Sequence, residues 1–91
     1  TSDEEKIGFL MKHLAFEWIK IPEGSFLAGK SLKELEIRKK YGVIVVAIIR
    51  EENIIVSPSP LFPLQAGDTI VVVGSLENVK KFLRLIEGKE E

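Results

Sequence analysis

The sequence has no cysteine, one histidine, one methionine, one tryptophan and one tyrosine. Without cysteine there is no disulfide framework, thiolate metal site or cysteine nucleophile, which fits a reducing compartment. An excess of one charge is also missing: thirteen basic and fourteen acidic side chains leave a formal charge of -1. No broad cationic field exists to hold a polyphosphate backbone, so nucleic acid is not an expected partner. The longest unbroken apolar run, Val43 to Ile49, is seven residues, against about 20 for a spanning helix. A soluble chain without direct membrane insertion is expected. No basic start precedes an apolar stretch, so no signal peptide is expected, and a chain opening at Thr1 with its sole Met at Met11 reads as a piece of a longer one. Ninety-one residues are too few for a multidomain enzyme.

What is abundant is β-branched: nineteen Ile and Val, eleven plus eight. That density favours a sheet. Ser2 and Glu5 form a capping-box pattern, and Ile7, Leu10, Met11 and Leu14 follow at helical spacing, predicting an amphipathic helix from Asp3 to Ala15. From Phe16 the period changes to two, a half-exposed strand that Pro22 and Gly24 end. Ser31 and Glu34 make a second capping box, opening a helix that carries Leu32 and Leu35 inward and ends at Gly42. Val43 to Ile49 is expected as the central strand, apolar on both faces, with Arg50 at its end.

Glu51, Glu52 and Asn53 then form a turn into a short hairpin strand, Ile54 to Val56. The prolines at 58, 60 and 63 lack ladder donors, so that stretch crosses the edge of the fold as a loop. Gly67-Asp68 is a turn before the strand Thr69 to Val73, and Ser75 caps a last helix with Leu76, Val79, Leu83 and Ile86 inward. The expected fold is α+β: an N-terminal helix, then β-α-β-β-β-α, a small sheet with helices packed on it. Residues 1–15 are expected as a linker helix, the tail of an upstream segment, and 16–91 as the domain.

Gly24 to Ser31 fits the phosphate-loop pattern G-x-x-x-x-G-K-[ST]. Its context argues against nucleotide binding. The preceding strand alternates charged and apolar residues, Phe26 and Leu27 fill the loop with apolar bulk, and no apolar strand ends in an Asp to hold magnesium. A capped entry into a helix is the expected role. His13 has no ligand-type residue at metal spacing on its helix face, and no serine has a paired histidine for a triad. Asp68, after a turn glycine, is expected to bond locally. No catalytic residue is identified, so an enzyme is not expected. Arg50 stands at the end of the most apolar strand, either paired with a carboxylate such as Glu51 or Glu52, or offering its fork to an anionic ligand. Composition favours the ion pair.

The series Gly24-Ser25-x-Leu27-x-Gly29-Lys30-Ser31-Leu32-x-Glu34-Leu35, Tyr41-Gly42-Val43, Ile49-Arg50, Pro58, Gly67-Asp68-Thr69 and Val73-Gly74 resembles the TrkA C-terminal domain. This is the RCK-C module of potassium channel and transporter regulators, and the resemblance runs from about Phe16 to Glu87. It implies a non-catalytic cytoplasmic module that forms a homodimer, follows a Rossmann-like or other regulatory domain, and acts on a membrane potassium or cation transport protein. It implies no required cofactor. It also implies a small effector, cyclic di-AMP or a divalent cation, at the dimer interface, held by Ile48, Ile49, Arg50, Asn53 and Pro58: Ile49 against a base, Arg50 on a phosphate, Asn53 by hydrogen bond. Glu51 and Glu52 depart from the family's glycine-containing turn, and Leu61-Phe62-Pro63 replaces a more polar stretch. Two carboxylates beside Arg50 repel a dianion and suit a cation better. The alternatives are a dimerisation module without ligand and a phosphate-loop protein.

Overall fold

The structure, a computed structural model, describes residues 2–88. Thr1 and residues 89–91, the outer ends of the two expected segments, lie outside the described residues. Helix α1 (Asp3–His13) begins at the Ser2–Glu5 capping box: Ser2 Oγ accepts from the Glu5 amide at 3.2 Å, and Glu5 Oε1 accepts from the Ser2 amide at 3.0 Å. The helix stops two residues short of the expected Ala15. Leu14 turns extended, and Leu14 and Ala15 open strand β1 (Leu14–Lys20) by pairing with Ser75 and Gly74. Sheet pairing thus takes over where the helical stripe ended. None of α1 is buried, and Ile7, Phe9, Leu10 and Met11 face solvent.

The expected helix from Ser31 to Gly42 is two pieces, α2 (Leu32–Leu35) and α3 (Ile37–Tyr41), divided at Glu36, whose φ of 50° is left-handed. The break has a packing cause. Leu35 and Ile37 are both buried, and residues two apart lie on opposite sides of a continuous helix. Rewinding at Glu36 turns both inward.

Strands β2 (Val43–Arg50), β3 (Asn53–Val56) and β4 (Thr69–Ser75) join β1 in one antiparallel sheet of order β1-β4-β2-β3. Helix α4 (Leu76–Glu87), capped by Ser75 Oγ on the Asn78 amide at 3.2 Å, packs Val79, Phe82 and Ile86 on one face of that sheet. Ile19, Val43, Val45, Ile48, Ile70 and Val72 meet it from the strands, and Leu27, Leu35, Ile37 and Leu64 from the connections. Strand alternation sends the other apolar set to the opposite face. There the register aligns Phe16 with Val73 and Ile44, and Trp18 with Val71, Ala47 and Val56. No described element covers this second face, and Trp18 is 71% and Val56 72% exposed. The central strand is therefore apolar on both faces as expected, but buried fully on one.

Gly42 ends α3 at φ 70°, and a Cβ there would run into the Asn78 side chain of α4. The left-handed φ penalises any side chain, and Asn78 would have to turn aside as well. Gly42→Ala is expected to cost on the order of 2 kcal/mol in urea or thermal unfolding, more than a Gly to Ala change at an unstrained surface site.

Candidate functional site

Antiparallel register explains where Arg50 goes. Ile48 pairs with Ile70 and Ile49 with Thr69, so the next positions in line are Arg50 and Asp68, both on the core side of the sheet. Arg50 Nε donates to Asp68 Oδ1 at 2.9 Å and Nη2 to Oδ2 at 2.8 Å, a two-pronged contact. Nη2 also donates to the Pro63 carbonyl at 2.9 Å, and the guanidinium carbon lies 4.8 Å from the centre of the Phe62 ring. Asp68, 2% exposed, additionally accepts the Gln65 amide at 2.9 Å. The expected ion pair exists, but its partner is Asp68, not Glu51 or Glu52. Those two stand in a two-residue turn beyond Arg50 and make no hydrogen bond to it, and Glu51 occupies a left-handed φ of 55°. Asp68 makes its expected local bond and the long-range one as well.

Hydrogen bonding from Arg50, helped by the Gln65 amide, holds the Asp68 carboxyl below the usual carboxylate range despite the opposing effect of burial, and Asp68 raises Arg50 in return. Of the residues that the resemblance implies for effector binding, the structure gathers Ile49, Arg50 and Asn53 at the β2–β3 turn. Ile48 is wholly buried on the core face, opposite to Ile49. Pro58 follows Ser57, whose amide bonds Val46 O at 2.8 Å, at the far end of β3 and about 13 Å from the turn by strand rise. Much of the Arg50 fork, the group implied for a phosphate, is already taken.

A different depression was missed in the sequence. Strand β3 pairs with β2 only from Ala47 onward, leaving Val43 to Val45 with a strand on the β4 side alone. Beside this free edge, Leu32, Ile37, Arg38, Ile44, Val45 and Pro60 line a groove of about 480 Å³. Lys33, Arg38 and Lys39 on its walls outnumber one carboxylate, Glu36, which lies 3.9 Å from Lys39 and 3.6 Å from Lys40. Among the described residues Arg38 has no carboxylate partner. The signal available in sequence was the run Arg38-Lys39-Lys40 directly before an apolar strand.

The phosphate-loop pattern has no cradle. The amides of Leu27, Ala28, Gly29 and Lys30 donate to Ser25 Oγ, Ser25 O, Leu64 O and Leu27 O. Ser31 Oγ caps α2 on the Glu34 amide at 3.2 Å, and the Ser31 amide in turn holds the Glu34 carboxylate below its usual range. His13 is exposed, its ring 4.2 Å from that of Phe9, and its Nδ1 donates to Phe9 O at 2.8 Å. Among the described residues no group of three or more His, Asp or Glu side chains is placed to hold a metal, and no helix is long and apolar enough to cross a membrane.

Comparison with known proteins gives a consistent picture. Residues 16–87 match the TrkA-C domain model. The sequence is 31% identical over 90 residues to the ammonium/H+ antiporter subunit AmhM of Alkalihalophilus pseudofirmus, covering 99% of this chain and 54% of that protein. It is 31% identical over 80 residues to the K+/H+ antiporter subunit KhtT of Bacillus subtilis, covering 87% of this chain and 48% of that protein. The chain thus spans about half the length of these two relatives. The RCK_C domain dimer of S. agalactiae BusR in complex with c-di-AMP is similar at a TM-score of 0.72 and 33% identity, covering 80% of this chain and 96% of that one.

The Arg50–Asp68 geometry carries a prediction. Arg50→Ala strands a buried carboxylate and is expected to cost on the order of 3 kcal/mol at neutral pH. Because the folded-state value of Asp68 is depressed, its stabilisation is fully present above the ordinary value of about 4 and is lost as pH falls through the folded value. Thermal unfolding across that acid range checks this: the wild-type melting temperature falls steeply, and that of Arg50→Ala falls less.

Proposed function

Because the chain belongs to the TrkA-C family, we propose that it is the effector-responsive regulatory module of a cation transport protein, with potassium the leading ion, and that it performs no catalysis itself. It works in the cytoplasm as a homodimer, joined to an upstream Rossmann-like or other regulatory domain. The transporter responds because an effector binds one arrangement of two subunits more tightly than another.

The observation that carries this reading is the groove at the free edge of β2. A cyclic dinucleotide has two negative phosphates and two flat bases. Arg38, Lys33 and Lys39 supply cationic donors, while Leu32, Ile44 and Pro60 supply apolar walls. The unpaired edge beside them leaves room for a second copy to complete the site. Its likeness to a c-di-AMP-bound domain dimer supports the same ligand class. The turn with Ile49, Arg50 and Asn53 is the weaker position, since Asp68 holds the Arg50 fork and Glu51 and Glu52 oppose an anion. A divalent cation there draws its further ligands from a second copy. The ligand-free reading, a dimerisation module alone, is favoured by the uncovered sheet face, where Phe16 and Trp18 are both exposed.

Calorimetric titration with cyclic di-AMP separates the two. Binding by the wild type, weakened about tenfold or more by Arg38→Ala at unchanged melting temperature, is the expected result. No heat with the wild type leaves the dimerisation module. Undiminished binding by Arg38→Ala removes the groove from the account.

A further inference from the structure

A second depression lies on the other side of α3, away from the β2 edge. Lys40 and Tyr41 at the end of α3 and Asn78, Lys81, Phe82 and Arg84 on α4 bound a volume of about 480 Å³. The chain as a whole carries -1, yet this lining holds three cations and no carboxylate. Its floor is aromatic: Phe82 is 1% exposed, and the Tyr41 ring packs on it at 5.3 Å between centroids.

Ordinary helix chemistry accounts for part of this. Cations near helix C-termini offset the macrodipole. Two of the three also have exposed partners one turn away, Lys40 to Glu36 at 3.6 Å and Lys81 to Glu77 at 3.3 Å. Such exposed pairs are weak, so a ligand with higher charge density displaces them readily. Helix dipoles do not explain why cations from two separate elements converge across one depression, with an amide and a phenol between them. The left-handed Gly42 at the end of α3 lies against the Asn78 side chain of α4, so the two elements approach closely there.

From this convergence we propose a second, anion-binding site between α3 and α4 that takes a phosphate group of at least two negative charges, free or as part of an anionic lipid headgroup. Lys40 and Lys81 close over the phosphate from opposite walls, Arg84 offers its planar fork, and the Asn78 amide and Tyr41 hydroxyl supply neutral donors. The site is separate from the groove at Arg38 and does not depend on the effector reading.

Titration of the full 91-residue chain with pyrophosphate, followed by amide chemical shifts, tests the free form, and sedimentation with vesicles of phosphatidylglycerol against phosphatidylcholine tests the lipid form. The expected result is saturable shifts at residues 40–42 and 78–85, or pelleting with the anionic vesicles alone. Either is weakened about tenfold by Lys40→Gln combined with Lys81→Gln at unchanged melting temperature, and weakened further by added salt. Pyrophosphate shifts without vesicle binding identify a free phosphate compound; vesicle binding without pyrophosphate shifts identifies a headgroup. Absence of both, or binding that the double variant leaves intact, overturns the proposal. Cyclic di-AMP binding by the same double variant stays at the wild-type level, which keeps this outcome apart from the fate of the Arg38 groove.

Discussion

Asp68 is a carboxylate with almost no access to water, and its charge has to be compensated at close range. Arg50 does this with two parallel hydrogen bonds, and its own remaining reach goes to the Pro63 carbonyl and the Phe62 ring. One contact thereby joins the end of β2 to the start of β4 and to the proline-rich connection that leads into it. The turn that presents Asp68 also holds the residue just after β1: the Ile21 amide donates to Asp68 O and the Gly67 amide to Ile21 O, each at 2.8 Å. Such a pair fixes geometry more surely than it adds stability, since desolvating two charges offsets much of their attraction.

That constraint redistributes the functional surface. With its arginine occupied and two glutamates in its turn, the β2–β3 hairpin offers little to an anion. Cationic side chains free of buried partners lie instead along α3, with Arg38 and Lys39 beside the stretch of β2 that β3 leaves unpaired. The Glu36 break contributes here as well. By turning both Leu35 and Ile37 into the core, it leaves Arg38 at the groove and Lys40 at the opposite depression.

Local chemistry was legible in the sequence. Both capping boxes, the Ser75 cap, the half-exposed first strand and the element order follow from residue spacing, and the structure has them. What escaped depends on pairing between distant strands. Reading β2 against its hairpin partner alone directs Arg50 toward Glu51 and Glu52; β4 lies on the other side of β2, and that neighbour places Asp68 in line. The α2–α3 break escaped because a capping box and a terminal glycine bound a helix without revealing a left-handed residue inside it. The groove at Arg38 escaped because it exists only where β3 stops short, a fact of register. Fold class and family were carried by the ordered motifs, whereas the effector residues, inferred by position along the chain, had no pairing information to correct them.

The central claim, that Arg50 serves the fold while Arg38 serves the ligand, is tested most directly by amide chemical-shift mapping with cyclic di-AMP on isotope-labelled protein. The account predicts saturable shifts centred on residues 37–45 and on the stretch around Pro60, with the amides of Arg50 and Asp68 little changed. Shifts centred instead on residues 49–53, with loss of the Arg50 to Asp68 hydrogen bonds on binding, would contradict it.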